Sequence, residues 1–470
     1  MLMTIDIGTS VFKAALWNYD GKRKSVTSVP SLMLSKNSAK KRFIHEADPM
    51  QWINAFEQCC KNIKNLSKVR AIIISGNGPS LVPVFGKPKK SSVEVPAANA
   101  RLWLDRRAIE YQAEVSAVMG GYVDASFFLP KILYIKNEEN NLYKKTKHFL
   151  GCPEFLAYAL TGQACTVFPC EGFDRWFWNK NILDKLELDI DKFPAFIQPG
   201  ERFGELNLSA AEYFGFKKNI PVISGGPDFF AAILGSGVTK PGQICNRTGS
   251  SDGINLCTNN YVNNDRFMSY KHPVNHYWNL SGIINTTGKA IDWGCSFLGI
   301  NGFDDFIALA EKSKTGSGGL KFDTNLAGER VLNSVSYAGG NLYGINLSSG
   351  RNEFANSILE GIGFAVMDII TEMEKTGAKT EQLRVTGGLA GCEILNQIKA
   401  DITGIEVLEI HKEAELYGLA ITGLCSLGKF SSYAEASSAM IKIRKNYKPN
   451  PEKTKCYNHL FNEYKKLKNP

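Results

Sequence analysis

An α/β fold built from two similar halves is what the order of residues predicts, on three observations. A glycine turn rich in hydroxyls, Asp6-Ile7-Gly8-Thr9-Ser10, opens the chain, and a near copy, Gly249-Ser250-Ser251-Asp252, returns midway. Each follows a short extended run (residues 3–7 and 244–246) and leads into a second apolar stretch (13–17 and 253–256), the pattern of a hairpin. Short apolar runs then alternate with helical stripes along the remainder. Unpaired backbone N–H groups in a turn form an anion-binding concavity, and the Ser and Thr hydroxyls add donors. Two such turns, one opening each half, predict a duplicated fold that grips a polyphosphate from both sides.

The elements follow in order. Trp52, Phe56, Cys60, Ile63 and Leu66 recur every three to four residues and predict an amphipathic helix opening near Asp48. Residues 69–74 form a buried strand that feeds Ser75-Gly76, and residues 221–224 another that ends in Gly225-Gly226-Pro227-Asp228. The Pro- and Gly-containing stretch 238–242 is the natural boundary, which divides the chain into domains 1–240 and 241–470. Gly316-Ser317-Gly318-Gly319 is expected to be a flexible surface loop. Phe354, Ile358, Ile362, Ala365 and Ile369 give a second helical stripe, and strand 383–386 leads through Gly387-Gly388 into a helix around Ile394, Leu395 and Ile398.

Composition narrows the class. With 470 residues, 44% hydrophobic and 21% charged, the chain suits a globular enzyme of two or more domains rather than a disordered protein. No apolar run approaches the ~20 residues of a membrane span, and the first residues show no basic-then-apolar leader. Eleven scattered cysteines without C-x-x-C spacing predict reduced thiols and a cytoplasmic location. The net charge of +9 comes from separate runs (36–42, 87–90, 144–147, 442–448 and 465–468) that hold a single aromatic, Tyr447, and no stacking platform, so no nucleic-acid or membrane partner is expected. Gly423-x4-Gly428-Lys429 imitates a phosphate loop, but Phe430 stands where Ser or Thr must hold Mg²⁺. The six histidines are isolated; His272 and His276 have Pro273 between them and no third ligand, against a zinc site.

The order Asp6-x-Gly8-Thr9, Trp103-x-Asp105-x-Arg107, Leu160-Thr161-Gly162, Gly226-x-Asp228, Gly249-Ser250-Ser251, Gly328-Glu329-Arg330 and Gly387-Gly388-Leu389 resembles the FGGY carbohydrate kinases, the family of xylulokinase and glycerol kinase. The resemblance runs to about Cys425. It implies two ribonuclease-H-like domains of the actin/hexokinase-like ATPase superfamily, with a catalytic cleft between them. Domain 1–240 then carries the sugar, the base and the first phosphate turn, and domain 241–470 the nucleotide. The cofactors implied are ATP and Mg²⁺.

Each site residue has two readings. Asp6 is either a turn-capping carboxylate or, with its Gly-Thr-Ser turn, the group that orients Mg²⁺ through water, since magnesium keeps several waters. Gly8, Thr9, Ser10 and Lys13 are then phosphate contacts, Lys13 being equally a solvated strand lysine. Asp228, directly after a buried strand, stands where open α/β sheets place ligands. It matches the family's catalytic base, while capping the helix that starts at Phe229 is the competing role. On the nucleotide side the resemblance implicates Gly249, Ser250, Ser251, Gly288, Asp292, Gly387, Gly388 and Cys392. Asp252 is expected to face away from phosphate, and Trp293 to be core.

For the acceptor the candidates are Asn77, Gly78, Trp103, Asp105, Arg107, Asp228 and Phe229. Asp105 can bond vicinal hydroxyls and Trp103 stack on C–H faces; core packing for Trp103 and an ion pair for Arg107 are the alternatives. Phe173, Trp176, Phe177 and Trp178 either wall the pocket or pack the domain. Asn77-Gly78-Pro79-Ser80 carries neither the Met-His pair of xylulokinases nor the Arg-Glu pair of glycerol kinases, so neither activity is carried over. The expected function is ATP-dependent phosphorylation of a small sugar or polyol hydroxyl. The alternative is an inactive nucleotide- and sugar-binding sensor of the same fold, and a homodimer is left open.

Overall fold

A computed structural model describes residues 1–31, 43–89, 93–264, 266–274, 276–327, 329–331, 334–336 and 339–468. The basic run 36–42, Lys90, and Gly328 and Leu332 of the Gly-Glu-Arg segment lie outside the described residues. The chain forms two compact units, Met1–Gly235 with Glu415–Met440, and Ser236–Ala414 with Ile441–Pro470. The division at residue 240 expected above differs in two respects: residues 236–240 cluster with the second unit, and 26 residues of the later half cluster with the first.

The first unit is built on a six-stranded sheet. Its strands are β1 (Leu2–Ile7), β2 (Val11–Trp17), β3 (Arg23–Pro30), β4 (Ala71–Gly76), β5 (Arg202–Glu205) and β6 (Pro221–Pro227), in the order β5-β6-β4-β1-β2-β3. The hairpin β1–β2 is antiparallel, whereas β1, β4 and β6 run parallel, with Leu2 opposite Ala71 and Val222 opposite Ile72. β1 and β4 are buried along their whole length, because both sheet faces are covered. Helix α1 (Met50–Asn62) packs on β2 and β3 through Trp52, Ile53 and Phe56. Asp48 accepts the Met50 N–H at 2.9 Å and so starts the helix as expected, while Leu66 falls in a separate turn beyond its end. Helices α2 (Phe128–Glu138), α3 (Cys152–Thr161) and α4 (Asp228–Gly235) complete the parts that bear on the site.

The second unit repeats that sheet. Its strands are β7 (Gln243–Thr248), β8 (Asp252–Thr258), β9 (Met268–Lys271), β10 (Trp278–Ile284), β11 (Gln382–Gly387), β12 (Glu406–Glu409) and β13 (Lys445–Tyr447), in the order β9-β10-β8-β7-β11-β12-β13. Taking β7 for β1, the sequence of neighbours β10-β8-β7-β11-β12 reproduces β3-β2-β1-β4-β6 with the same parallel and antiparallel pairings. Each sheet even ends on a further antiparallel strand, β5 or β13. Helices α5 (Gly288–Leu298), α6 (Arg351–Glu374) and α7 (Glu393–Thr403) carry one core through Ile291, Ile358, Ile362 and Leu395.

Two expectations are corrected here, and the Gly423 stretch gains a structural reason. α6, with 24 residues, is long and apolar enough by composition to cross a membrane, although no such run was expected; 78% of that window is buried inside its unit, as in a core helix. The Gly316–Gly319 stretch is tied down rather than free, since buried Glu360 accepts the Gly316 N–H at 2.7 Å and the Ser317 hydroxyl at 2.6 Å. Gly423 has a packing reason: helix α8 (Ala414–Ser426) lies in the first unit, where a Cβ on Gly423 would stand 2.8 Å from Leu2.

Candidate functional site

In the first unit three parallel strands end side by side. Asp6 pairs in register with Ser75, and Pro227 with Gly76, so Asp6, Asn77 and Asp228 leave the sheet at its carboxyl edge. Two further bonds close that edge: the Ser75 hydroxyl donates to Gly226 O at 2.6 Å, and the Asn77 amide to Ile7 O at 2.9 Å. Buried Cys152 reports the convergence. Burial first, then the charges of Glu154, Asp6 and Asp228, hold its thiol well above the ordinary value.

Asp6 is 4% exposed, and Lys13, its cross-strand partner, lies at 3.8 Å. The turn tip needs glycine at residue 8, because a Cβ there would sit 2.6 Å from Val11 O. Thr9 is held from outside the turn by the Trp103 indole N–H, which donates to its hydroxyl oxygen at 2.9 Å. Indole is a donor only, so the Thr9 proton stays available for an acceptor such as a phosphate oxygen. Asp228 opens α4 half-buried, and its carboxylate accepts the Phe229 N–H at 2.7 Å. Capping does not compete with a role for the carboxylate's charge, which the helix N-terminus favours.

The acceptor candidates separate into two groups. Trp103 and Phe229 are partly exposed, and Phe229 stacks on Phe173 at 5.5 Å with the rings 9° apart. Trp176, Phe177 and Trp178 are buried. Asn77 is buried and locked, accepting the Ser80 hydroxyl at 2.6 Å, while Gly78 is exposed. Asp105 is 0% exposed and fully engaged: it accepts His45 N–H at 2.8 Å and the Arg107 guanidinium at 2.7 Å. Arg107 also pairs with Glu46 at 2.6 Å, and Arg101 bonds both Glu46 and Glu139. Burial opposes the Arg107 charge, but the bonds to Asp105 and Glu46 outweigh it and hold the guanidinium above its ordinary value. This ionic knot sits behind Trp103, and Asp105 braces Arg107 from a position sealed from solvent.

In the second unit the copy of the turn is covered by α5. Gly288 N–H donates to Gly249 O at 2.8 Å and Thr287 N–H to Ser250 O at 3.0 Å; a Cβ on Gly288 would lie 2.7 Å from Gly249 O. Ser250 and Ser251 are exposed. Gly387 ends β11 at φ +94, and a Cβ there would clash with Thr248 O, so no other residue fits there without strain. Gly388 is exposed beside it, and Cys392 is buried before α7. Asp292 is exposed on α5. Trp293 departs from the core placement expected: it is 39% exposed, stacked on Phe297 at 5.2 Å, because α5 turns Ala290, Ile291, Gly294 and Cys295 inward instead.

Asp252 is turned into the unit, where its carboxylate accepts from Asn246 at 2.9 Å and pairs with Lys399 at 3.3 Å, both charges 0% exposed. Lys399 had no signal in the sequence beyond a lysine within an amphipathic helix. Lys131 was equally unforeseen, although a lysine between Pro130 and Ile132 in an otherwise apolar run is a usable sign. Among the described residues no group of three His, Cys, Asp or Glu is placed to hold a metal.

Two sheets of one strand order, each opening with a glycine turn between its first two strands, define the ribonuclease-H-like ATPase class with actin-like duplicated domains. The family is shown directly: the N-terminal domain model of the FGGY family of carbohydrate kinases matches residues 1–235 and the C-terminal model residues 245–427, so the chain belongs to that family. It is 25% identical to a xylulose kinase of Staphylococcus epidermidis over 99% of this chain and 96% of that one. A ligand-bound xylulose kinase from Lactobacillus acidophilus superposes with a TM-score of 0.86 at 21% identity, covering 100% of this chain and 98% of its own. A gluconate kinase from the same organism gives the same TM-score, identity and coverage. The protein is a carbohydrate kinase.

Proposed function

We propose that this kinase transfers the γ-phosphate of ATP to a hydroxyl of a small uncharged ketose or polyol, in the cytoplasm. Asp228 takes the proton of the attacking hydroxyl, as phosphoryl transfer needs little beyond a base, positioning and charge neutralisation. Gly8, Thr9, Ser10 and Lys13 hold phosphate oxygens from the first unit. Gly249, Ser250, Ser251 and Gly288 hold them from the second, and Gly387, Gly388 and Cys392 border the adenosine. One carboxylate at a strand end, with no three-ligand cluster among the described residues, fits magnesium, which keeps most of its waters. Asp6 would hold that ion through water, and when bound it neutralises phosphate charge.

The observation that carries a neutral acceptor is the pairing of the acceptor segment's cations. Arg101 is paired with Glu46 and Glu139, Arg106 with Asp124, and Arg107 with Asp105 and Glu46. A carboxylate-bearing sugar calls for a cation not already committed, as a buried charge without a partner is costly. The exposed faces of Trp103 and Phe229 suit the C–H surface of a sugar instead. Because a gluconate kinase is among the similar structures, an aldonate acceptor is the second reading. ADP release measured across pentuloses, hexuloses, polyols and aldonates separates the two: fastest turnover on an aldonate overturns the neutral acceptor.

A further inference from the structure

Lys131 on α2 is 1% exposed, yet among the described residues no carboxylate is its direct partner. Its ammonium donates to three backbone carbonyls, Leu102 O at 2.8 Å, Pro79 O at 2.9 Å and Arg101 O at 3.4 Å. An ammonium has three N–H groups and no acceptor, so these carbonyls use its whole capacity. Placing a cation there is costly: burial pulls its pKa down to about 7, with Asp105 and Asp124 acting against that and Arg107 and Arg101 adding to it. A methionine or leucine would fill the space at no such cost, but it would take the donor from Pro79 O and the second donor from Leu102 O and Arg101 O, which also accept the Asp105 N–H at 2.9 Å and the Leu81 N–H at 2.8 Å. What distinguishes lysine is that it extends the joining of two segments beyond their backbone pair Leu81–Arg101, out to Pro79 on one side and Leu102 on the other.

Those segments are the acceptor candidates. Pro79 follows Asn77, whose amide is bonded to Ile7 O at the end of β1, and Leu102 precedes Trp103, whose indole reaches Thr9. One buried cation thus anchors both backbone approaches to the Gly8–Ser10 turn. We propose that Lys131 is a positioning residue for the acceptor. It touches no sugar atom; it sets the Asn77–Ser80 loop and Trp103 relative to each other, so that an acceptor held by them meets Asp228 in line. The proposal rests on the reading of these segments as the acceptor side.

The test is K131M, a near-isosteric change, in the full-length enzyme with ATP and the best neutral acceptor of the panel. The acceptor KM is expected to rise roughly ten- to hundredfold, the scale of a small misplacement, with the ATP KM within about twofold and the melting temperature within a few degrees. K131Q, which restores two N–H donors, recovers part of the loss. A second measurement needs no variant. Deprotonation leaves Lys131 two N–H groups and turns a lone pair toward one of the carbonyls, so the wild-type acceptor KM should climb by about threefold or more as pH passes upward through about 7.

The groups facing Lys131 are Asp105, Arg107 and Arg101 from the acceptor segment and Asp124 from the turn before α2, with Glu46, Glu139 and His45 behind them. The pH-dependent rise must therefore vanish in K131M to belong to Lys131. A folded K131M with acceptor KM within twofold of wild type, or with both KM values raised alike, overturns the proposal. Should K131M not fold, the wild-type profile decides: a flat acceptor KM across neutrality overturns it, and a rise in that KM alone upholds it. A wild type that phosphorylates none of the neutral acceptors sinks the function reading itself, an outcome distinct from an active enzyme indifferent to Lys131.

Discussion

At the tip of the β1–β2 hairpin the acidic residue is Asp6, in the strand before the glycine, with Lys13 across from it at 3.8 Å and 29% exposed. At the tip of β7–β8 it is Asp252, after the turn, sealed at 0% exposure against Lys399. When Gly8 and Gly249 are matched, Arg247 occupies the place of Asp6, and Asp252 that of Val11. The order of the six shared strands is the same; the charge is not. In the first unit carboxylates gather at the carboxyl edge of the sheet, where Asp228 joins Asp6. In the second the edge presents glycines and serines, and its carboxylate is spent on holding the turn from below. A duplicated scaffold thus carries its carboxylates differently in its two copies.

The sharpest way to undo that contrast is at the base. D228N keeps the shape and the helix cap but removes basicity, so kcat should fall by about 10²–10⁴-fold, or about 3–5.5 kcal/mol of barrier. The ATP KM and the melting temperature should hardly move, because Asn also caps helices. Near-normal turnover in a protein that melts like the parent would leave Asp228 as a cap alone.

Next in size is the difference between the two lysines. K399M strips a fully buried carboxylate of its partner and should cost about 3–5 kcal/mol of stability. K13M removes a loose, partly exposed pair and should cost no more than about 1 kcal/mol, its effect falling on phosphate handling instead. Denaturant unfolding of both variants gives the comparison, and equal losses would show that the two turns are braced alike.

G288A presses a methyl onto Gly249 O, a contact of 2.7 Å before relaxation. The strain of such overpacking is about 1–3 kcal/mol, which corresponds to an ATP KM raised about five- to 150-fold, with the acceptor KM little changed. The smallest effect belongs to W103F, which removes the indole donor from Thr9 and should cost about 0.5–1.5 kcal/mol in kcat/KM. A W103F enzyme indistinguishable from wild type would detach Trp103 from the phosphate turn.

Much of this was readable before any coordinates. The hairpin turns, the strands ending at Gly76, Asp228 and Gly387, and the helix opening at Asp48 announce themselves because alternation, helical spacing and glycine conformation are properties of neighbouring residues. Membership of the family rests on the same local motifs. The chain did not reveal that Glu415–Met440 joins the first unit, since Gly418 and Gly423 acquire their meaning only against Ala231 and Leu2. Nor did it reveal that Asp105 is sealed by Arg107 and His45, or that Trp293 stands half-exposed.

The buried lysines show the physical reason most plainly. Lys399 meets Asp252 across 147 residues, and Lys131 meets Leu102 across 29. A charge enters a protein interior only where folding brings donors or counter-charges to it. Periodicity can say that such a position lies on the inward face of a helix, but not which carbonyl or carboxylate waits there. Local order was settled by the residues in sequence; the partners of each charge were settled by what folding brought together.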